Sequence, residues 1–356
     1  MTRRRPTDIN LSRWIGDGFL FDKRLISNYD ELMSWFKKKR IFMDYASATP
    51  LLPEVKKVME KYWSRDFYNP SAIYQEGVEV RREVEEFRTK IARLLGATPE
   101  SIIFTSGGTE ANVWALRGVK PGQIIIEPDS HPSVVEAAKG LGGKEVVLVS
   151  SVTTDNKLGR KIREERKKNN SEYPLLHIDA SQTAQYFNVG LETLSCDLLT
   201  LDGAKLYGPK GIGVLVVRRG LRLDLPPLGT PPVPLIVGFS KALEIVVRDR
   251  EGERERLASL SALFMENIER SLPEVHMTQI EPNIINISVP GILPELLVLA
   301  LDRAGVLVSA GPACNSNKPE PPETPVRFSF GRFTTLDEVR RAAEIFCRVA
   351  RSVLKY

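Results

Sequence analysis

The chain has 356 residues, a formal net charge of +5, 42% hydrophobic and 27% charged residues. These values belong to a globular protein with room for a large core and a smaller second unit, and they exclude a fibrous or wholly disordered chain. No apolar run is long enough to span a bilayer, the opening MTRRRPTDINL lacks the apolar region of a secretory signal, and cytoplasm is the expected location. The three cysteines, Cys196, Cys314 and Cys347, are too few and too scattered for a disulfide framework or a metal site. Basic and acidic residues interleave around 81–88 and 248–256, as on solvated helix surfaces, so neither nucleic acid nor a membrane is an expected partner.

In chain order, residues 1–40 read as an N-terminal extension, basic at Arg3, Arg4 and Arg5 and aromatic near Trp35 and Phe36. Asn69-Pro70-Ser71 marks a turn, and the spacing of Val80, Val84, Phe87, Ile91 and Leu95 predicts a helix over 75–95, closed by Gly96. Short apolar runs then alternate with helical patterns: 102–104, 124–126, 146–149, 175–178 and 198–201, with one more strand over 211–217. Strands buried on both faces read this way and suggest a mostly parallel sheet. A mainly helical stretch covers 237–272, apolar runs follow at 284–289 and 305–308, and a last helix is expected over 336–354. The fold class is α/β: a large domain, 41–247, with helices flanking a mostly parallel sheet, and a smaller α+β C-terminal domain, 248–356, that carries Cys314.

Ligands bind at strand ends in open α/β sheets, and four strand ends here carry unusual polar residues. After Phe104 comes Thr105-Ser106-Gly107-Gly108-Thr109-Glu110-Ala111-Asn112, which suits either a bound phosphate at a helix N-terminus or a plain capped turn. After Ile126 comes Glu127-Pro128-Asp129-Ser130-His131, with one of only three histidines. Asp179 ends a buried run, where a carboxylate needs a cation opposite it; a protonated pyridine nitrogen or an Arg or Lys would serve. Lys205 follows another buried run, in Asp202-Gly203-Ala204-Lys205-Leu206-Tyr207-Gly208, and a lysine held in apolar surroundings can form Schiff bases. An anion cradle, an aromatic ring, a buried acid and a loop lysine match the demands of pyridoxal 5′-phosphate (PLP).

From about Met43 onward the chain resembles the cysteine desulfurases of the NifS/IscS type, PLP enzymes of fold type I in the class-V aminotransferase family. The resemblance lies in MDYASATP, NPS, IIFTSGGTEAN, LLHIDASQTA, LLTLDGAKLYGPKGIGVLVVRR, NIINIS, SAGPACNS and VRFSFGRFTT. It implies that Lys205 carries the cofactor and shuttles the proton at the substrate Cα. By the same resemblance Asp179 partners the pyridine nitrogen, His131 stacks on the ring and serves as an acid–base group, and Gly108 and Thr109 grip the phosphate. Gln182 would bond the ring oxygen, Asn156 the ring and the substrate carboxylate, Arg327 that carboxylate, and Thr230 the phosphate across a homodimer. Cys314 would be the mobile nucleophile that takes sulfur from L-cysteine as a persulfide, releasing L-alanine and feeding a sulfur acceptor or cluster-scaffold protein in iron–sulfur cluster or thiolation pathways. Cys196 and Cys347 are expected to be structural.

The chain departs from this pattern where the family has Ser-x-His-Lys: here Asp202 and Ala204 stand in place of the serine and histidine. A carboxylate beside a phosphate predicts weaker cofactor binding. The stretch between Val149 and Asn156 is shortened, and the segment from Cys314 to Arg327 is short and proline-rich. The alternatives are a related PLP lyase or aminotransferase, for example one acting on selenocysteine, and, motivated by these departures, a desulfurase-like scaffold with weakened catalysis.

Overall fold

The computed structural model describes residues 40–128, 130–153, 155–227, 229–311 and 325–353. Cys314, and with it the expected nucleophile, lies outside the described residues. The described chain starts with β1 (Ile41–Phe42) and passes through helices α1 (Pro53–Met59) and α2 (Gln75–Leu94). Strands and helices then alternate: β2 (Ile102–Thr105), α3 (Gly108–Arg117), β3 (Gln123–Ile126), α4 (Pro132–Ala138), β4 (Val146–Ser151), α5 (Lys157–Asn169), β5 (Leu175–Asp179), β6 (Leu198–Asp202) and β7 (Gly213–Val217).

These strands form a six-stranded sheet in the order β2-β7-β6-β5-β4-β3. β3, β4, β5 and β6 are mutually parallel, while β7 runs antiparallel to both β2 and β6. The apolar runs are apolar throughout because they are covered on both faces: every residue of β7 is buried, as are the first four of β5 and of β6. The parallel strands therefore end on one edge, and Asp179 at the end of β5 is in register with Thr200, two residues before the end of β6. β7 comes so close to the turn before α3 that a Cβ on Gly213 would lie 2.6 Å from the Gly107 carbonyl carbon. Only glycine admits that approach.

The helix expected over 237–272 is a single 39-residue element, α6 (Val233–Ser271). It starts earlier than the pattern suggests because Pro232 and Pro234 sit at its first turn, where no backbone N–H is needed. Its first half packs Ile236, Phe239, Leu243 and Val246 into the core around the large sheet. Its second half packs Leu257, Phe264 and Ile268 into a separate core. The boundary placed at 247/248 thus falls inside one continuous helix, between these two sets.

The second core lies against β8 (His276–Glu281), β9 (Ile284–Ser288), α7 (Pro294–Arg303), β10 (Val306–Leu307), β11 (Ser309–Ala310), β12 (Val326–Ser329) and α8 (Leu336–Val353). Four of the strands form an antiparallel sheet in the order β11-β12-β9-β8. At its centre the Phe264 ring meets Phe328 at 4.9 Å and Phe330 at 5.3 Å; truncating a buried aromatic of this kind costs about 3–5 kcal/mol. β1 pairs in parallel with β10, and Asp44 bridges to Ser329. Residues 41–44 therefore pack with the C-terminal unit, and the chain crosses to the large sheet immediately after them. That crossing sets residues 44–47 between the two units.

Candidate active site

Lys205 closes a short 3-10 turn, Gly203–Lys205, directly after β6. The turn is capped by Asp202, whose Oδ1 accepts the Ala204 N–H at 2.9 Å. The Lys205 amine donates to the carbonyl oxygens of Ala46 at 2.6 Å and Ser47 at 2.5 Å. Thr49 fastens the same crossing segment from the other side, its N–H and hydroxyl both donating to the Ala204 carbonyl at 2.9 Å. Burial holds the Lys205 amine below the usual lysine value. Asp202 opposes this, the Arg327 guanidinium adds to it, and Asp44 and Asp179 oppose it. One amine thus stands in the field of three carboxylates and one guanidinium, drawn from four separate parts of the chain.

Asp179 is gripped at both oxygens. Its Oδ1 accepts from the Ser181 N–H at 3.1 Å and the Ser181 hydroxyl at 2.6 Å, and its Oδ2 accepts from the Asn112 amide at 2.8 Å. Asn112 is buried on α3, and its Nδ2 also donates to the Ser133 hydroxyl oxygen at 3.0 Å. Ser133 lies 2.7 Å from His131 Nδ1 through its hydroxyl, and its N–H donates to the same nitrogen at 3.1 Å. Because the Ser133 N–H can only donate, Nδ1 is an acceptor, and the Ser133 hydroxyl must point its proton to the same nitrogen. His131 Nδ1 then accepts two hydrogen bonds, which places the ring proton on Nε2. His131 is also the N-cap of α4, followed by Pro132, so its ring is fixed by a helix start as well as by the network.

Across the crossing segment, Arg327 on β12 donates through Nη2 to Asp44 Oδ1 at 3.1 Å and to the Ser47 hydroxyl at 2.9 Å. Ser309 on β11 holds the other oxygen of Asp44 at 2.9 Å. Gln182 shares the Ala46 carbonyl with Lys205, donating to it at 2.6 Å. Lys205, Gln182 and Arg327 therefore converge on residues 44–47, while Asp179 and His131 are joined through Asn112 and Ser133.

The remaining expected residues are placed less centrally. Gly108 is the first residue of α3, with Gly107 as N-cap and no side-chain cap. A Cβ on Gly108 would meet Ser181 Oγ at 3.0 Å and Asp202 Oδ2 at 3.3 Å, so the turn, Ser181 and Asp202 surround one small space. Thr109 is exposed beside it. Asn156 is the N-cap residue of α5, without a side-chain cap bond, and Thr230 is exposed in the segment leading to α6. Cys196 and Cys347 are both buried, and burial pushes the Cys196 thiol up to about 12 and the Cys347 thiol above its usual value. Asn112, Ser133, Ser181 and Asp44 drew no role from the sequence, although Asn112, Ser181 and Asp44 lie within the resembling stretches. No group of three or more potential metal ligands occurs among the described residues, and no helix among them is long and apolar enough to cross a membrane.

The class-V aminotransferase family model matches residues 41–170, 143–228 and 227–342. Cysteine desulfurase IscS of Dictyoglomus turgidum is 32% identical over 375 residues, covering 88% of this chain and 95% of that protein. Cysteine desulfurase IscS of Rickettsia felis is 32% identical over 371 residues, covering 86% and 90%. Among solved structures, a NifS-like protein superposes with a TM-score of 0.78 at 24% identity, over 89% of this chain and all of that one.

The cofactor of this family, PLP, fits the residues present. Asn112 Oδ1, Gln182 Oε1 and Arg327 Nε are buried polar atoms with no protein partner among the described residues, and such atoms are rare unless something else completes them. To these the chain adds a half-buried amine with a depressed pKa, a carboxylate bonded at both oxygens and a glycine turn at a helix start. The lysine, the acid and the turn supply the three attachments that a pyridine ring with an aldehyde and a phosphate requires.

Proposed function

We propose that this chain, which belongs to the class-V aminotransferase family, is a PLP-dependent cysteine desulfurase that converts L-cysteine to L-alanine. The observation that carries this reading is the convergence of Lys205, Gln182 and Arg327 on the segment 44–47, with Asp179 in the electrostatic field of the same amine. An amine that can hold a carbonyl compound, an acid to face a pyridine nitrogen and a guanidinium to face a carboxylate meet at one place. The 32% identity to cysteine desulfurases over most of the chain supports it.

Each residue then has a physical task. When bound, PLP supplies an electron sink that weakens the bonds at the substrate Cα. Lys205 would carry the cofactor and move the proton at Cα; burial, which lowers its pKa, favours the neutral amine that this task needs. Asp179, bonded at both oxygens, would face the ring nitrogen and hold a proton there. His131 presents an imidazole whose orientation is fixed by Ser133, and the Gln182 amide N–H, which here donates to the Ala46 carbonyl, would serve as donor to the ring oxygen. Gly108 and Thr109 offer backbone and hydroxyl donors to the phosphate. Arg327 would receive the substrate carboxylate in a bidentate pair, and the resemblance gives Asn156 a share in that contact.

Cys314 supplies the thiolate. Its attack on the substrate sulfur forms an S–S bond as the Cβ–S bond breaks. The electron pair of the broken bond stays with the carbon skeleton, which takes up protons and leaves as alanine. The protein retains the sulfur as a persulfide for an acceptor protein of an iron–sulfur cluster or thiolation pathway, in the cytoplasm. A homodimer, in which Thr230 of one protomer reaches the phosphate of the other, completes the reading. The exposed Phe67 and Tyr74, joined through the Tyr68 ring, support it, since gathered apolar groups mark association surfaces.

Borohydride reduction of the PLP-loaded protein followed by peptide mapping tests the assignment. The cofactor is expected on Lys205 alone, and attachment to Lys210 or to no lysine would refute it.

A further inference from the structure

We propose that Asp202 is a built-in occupant of the anion cradle at the start of α3, so that this chain binds a phosphate-bearing cofactor against its own carboxylate. The inference rests on the PLP reading above.

Three observations carry it. Asp202 is pinned by the Ala204 N–H on Oδ1 at 2.9 Å, which leaves Oδ2 beside Gly108, 3.3 Å from the position a Cβ there would take. Gly108 is the first residue of a ten-residue helix whose N-cap has no side-chain partner, so unsatisfied N–H groups and the positive end of the helix dipole face that space. A second carboxylate already draws on the same turn: Glu110 Oε2 accepts the Ser106 N–H at 2.6 Å. The chain therefore brings two negative groups of its own to the place where a phosphate would sit.

No ion pair to Asp202 occurs among the described residues to cancel this charge. The cation that shares its field is the Lys205 amine, which donates to the Ala46 and Ser47 carbonyls and is the group the cofactor consumes. Ala204 provides no side-chain donor. The repulsion acts on the phosphate and not on the pyridine ring, whose partners lie at Asp179, His131 and Gln182. The consequence is a selectivity: this chain distinguishes PLP from unphosphorylated pyridoxal less strongly than the same site with a neutral residue at 202.

Equilibrium titration of the cofactor-free protein with PLP and, separately, with pyridoxal tests this in wild type, Asp202→Ser and Asp202→Asn. The asparagine keeps an acceptor for the Ala204 N–H, so the turn survives even where serine disturbs it. Both variants are expected to bind PLP at least about tenfold more tightly, the scale of a removed like-charge contact, with pyridoxal binding unchanged. Equal changes for the two aldehydes, or no change for PLP, would overturn the proposal. Failure of wild type and variants alike to bind either aldehyde would overturn both this inference and the reading beneath it.

Discussion

The Asn112 amide donates to Asp179 Oδ2 at 2.8 Å from a helix 67 residues earlier in the chain. The same nitrogen reaches Ser133, and Ser133 reaches His131. The acid expected to face the cofactor nitrogen and the imidazole expected to face its ring are thus joined through two buried residues, Asn112 and Ser133, and in such networks each member fixes the next.

Breaking this network at its middle separates orientation from charge. Ser133→Ala leaves Asp179 and Asn112 paired but removes one of the two donors to His131 Nδ1. A hydrogen bond of this kind contributes about 1 kcal/mol, or roughly a fivefold bias in tautomer population. Nitrogen NMR of the cofactor-free protein is expected to show His131 with its proton on Nε2 in wild type and a mixed population in the variant. An unchanged tautomer would show that the helix start alone fixes the ring.

Arg327 gives a prediction about substrate binding. Its Nε has no partner among the described residues, while Nη2 is held by Asp44 and Ser47. Lysine cannot reproduce that fork. Arg327→Lys is expected to lower kcat/KM for cysteine about 10- to 100-fold, mainly through KM, as loss of a charge-assisted bidentate pair implies. A fall confined to kcat would place Arg327 in the chemical step instead.

His177 makes stability depend on pH. It is fully buried within β5, bonded to Ser150 of β4 at 2.8 Å and Thr200 of β6 at 3.0 Å, and burial pushes its pKa down to about 4 despite Asp179. Below the ordinary histidine value of about 6.5 the unfolded chain takes up a proton that the folded ring refuses. Stability contributed by neutral His177 is therefore full above that pH and is lost as pH falls toward about 4, by about 3 kcal/mol in all. Glu281, whose carboxyl burial pushes up to about 7, acts in the opposite sense over the same range. The informative quantity is thus the difference in Tm between wild type and His177→Gln, measured from neutral pH down to about 4.5. Wild type is expected to lose more stability than the variant on acidification; parallel curves would contradict the burial argument.

The residues that report on the backbone were legible, and those that report on distant contacts were not. Asp179 and Lys205 stand at the ends of apolar runs, so strand length alone located them. Asp44 contacts Arg327 across 283 residues, and Ser309 contacts Asp44 across 265, separations that no local pattern encodes. β8 escaped notice because its residues, HMTQIE, are half-buried or exposed; an edge strand of an antiparallel sheet has no need of an apolar run. The start of α6 was misplaced by prolines that a helix tolerates in its first turn. Asn112 lay in a stretch read for its glycines, and its value comes from Asp179 and Ser133, which fold against it from two other strand ends.

The desulfurase reading is tested most directly by a single turnover. Cofactor-loaded protein is mixed with one equivalent of L-cysteine without reductant, then assayed for alanine and mapped for added sulfur. One alanine per chain, with one extra sulfur atom on Cys314 and none in Cys314→Ala, is the expected result. Pyruvate in place of alanine, or sulfur carried on Cys196 or Cys347, would contradict it.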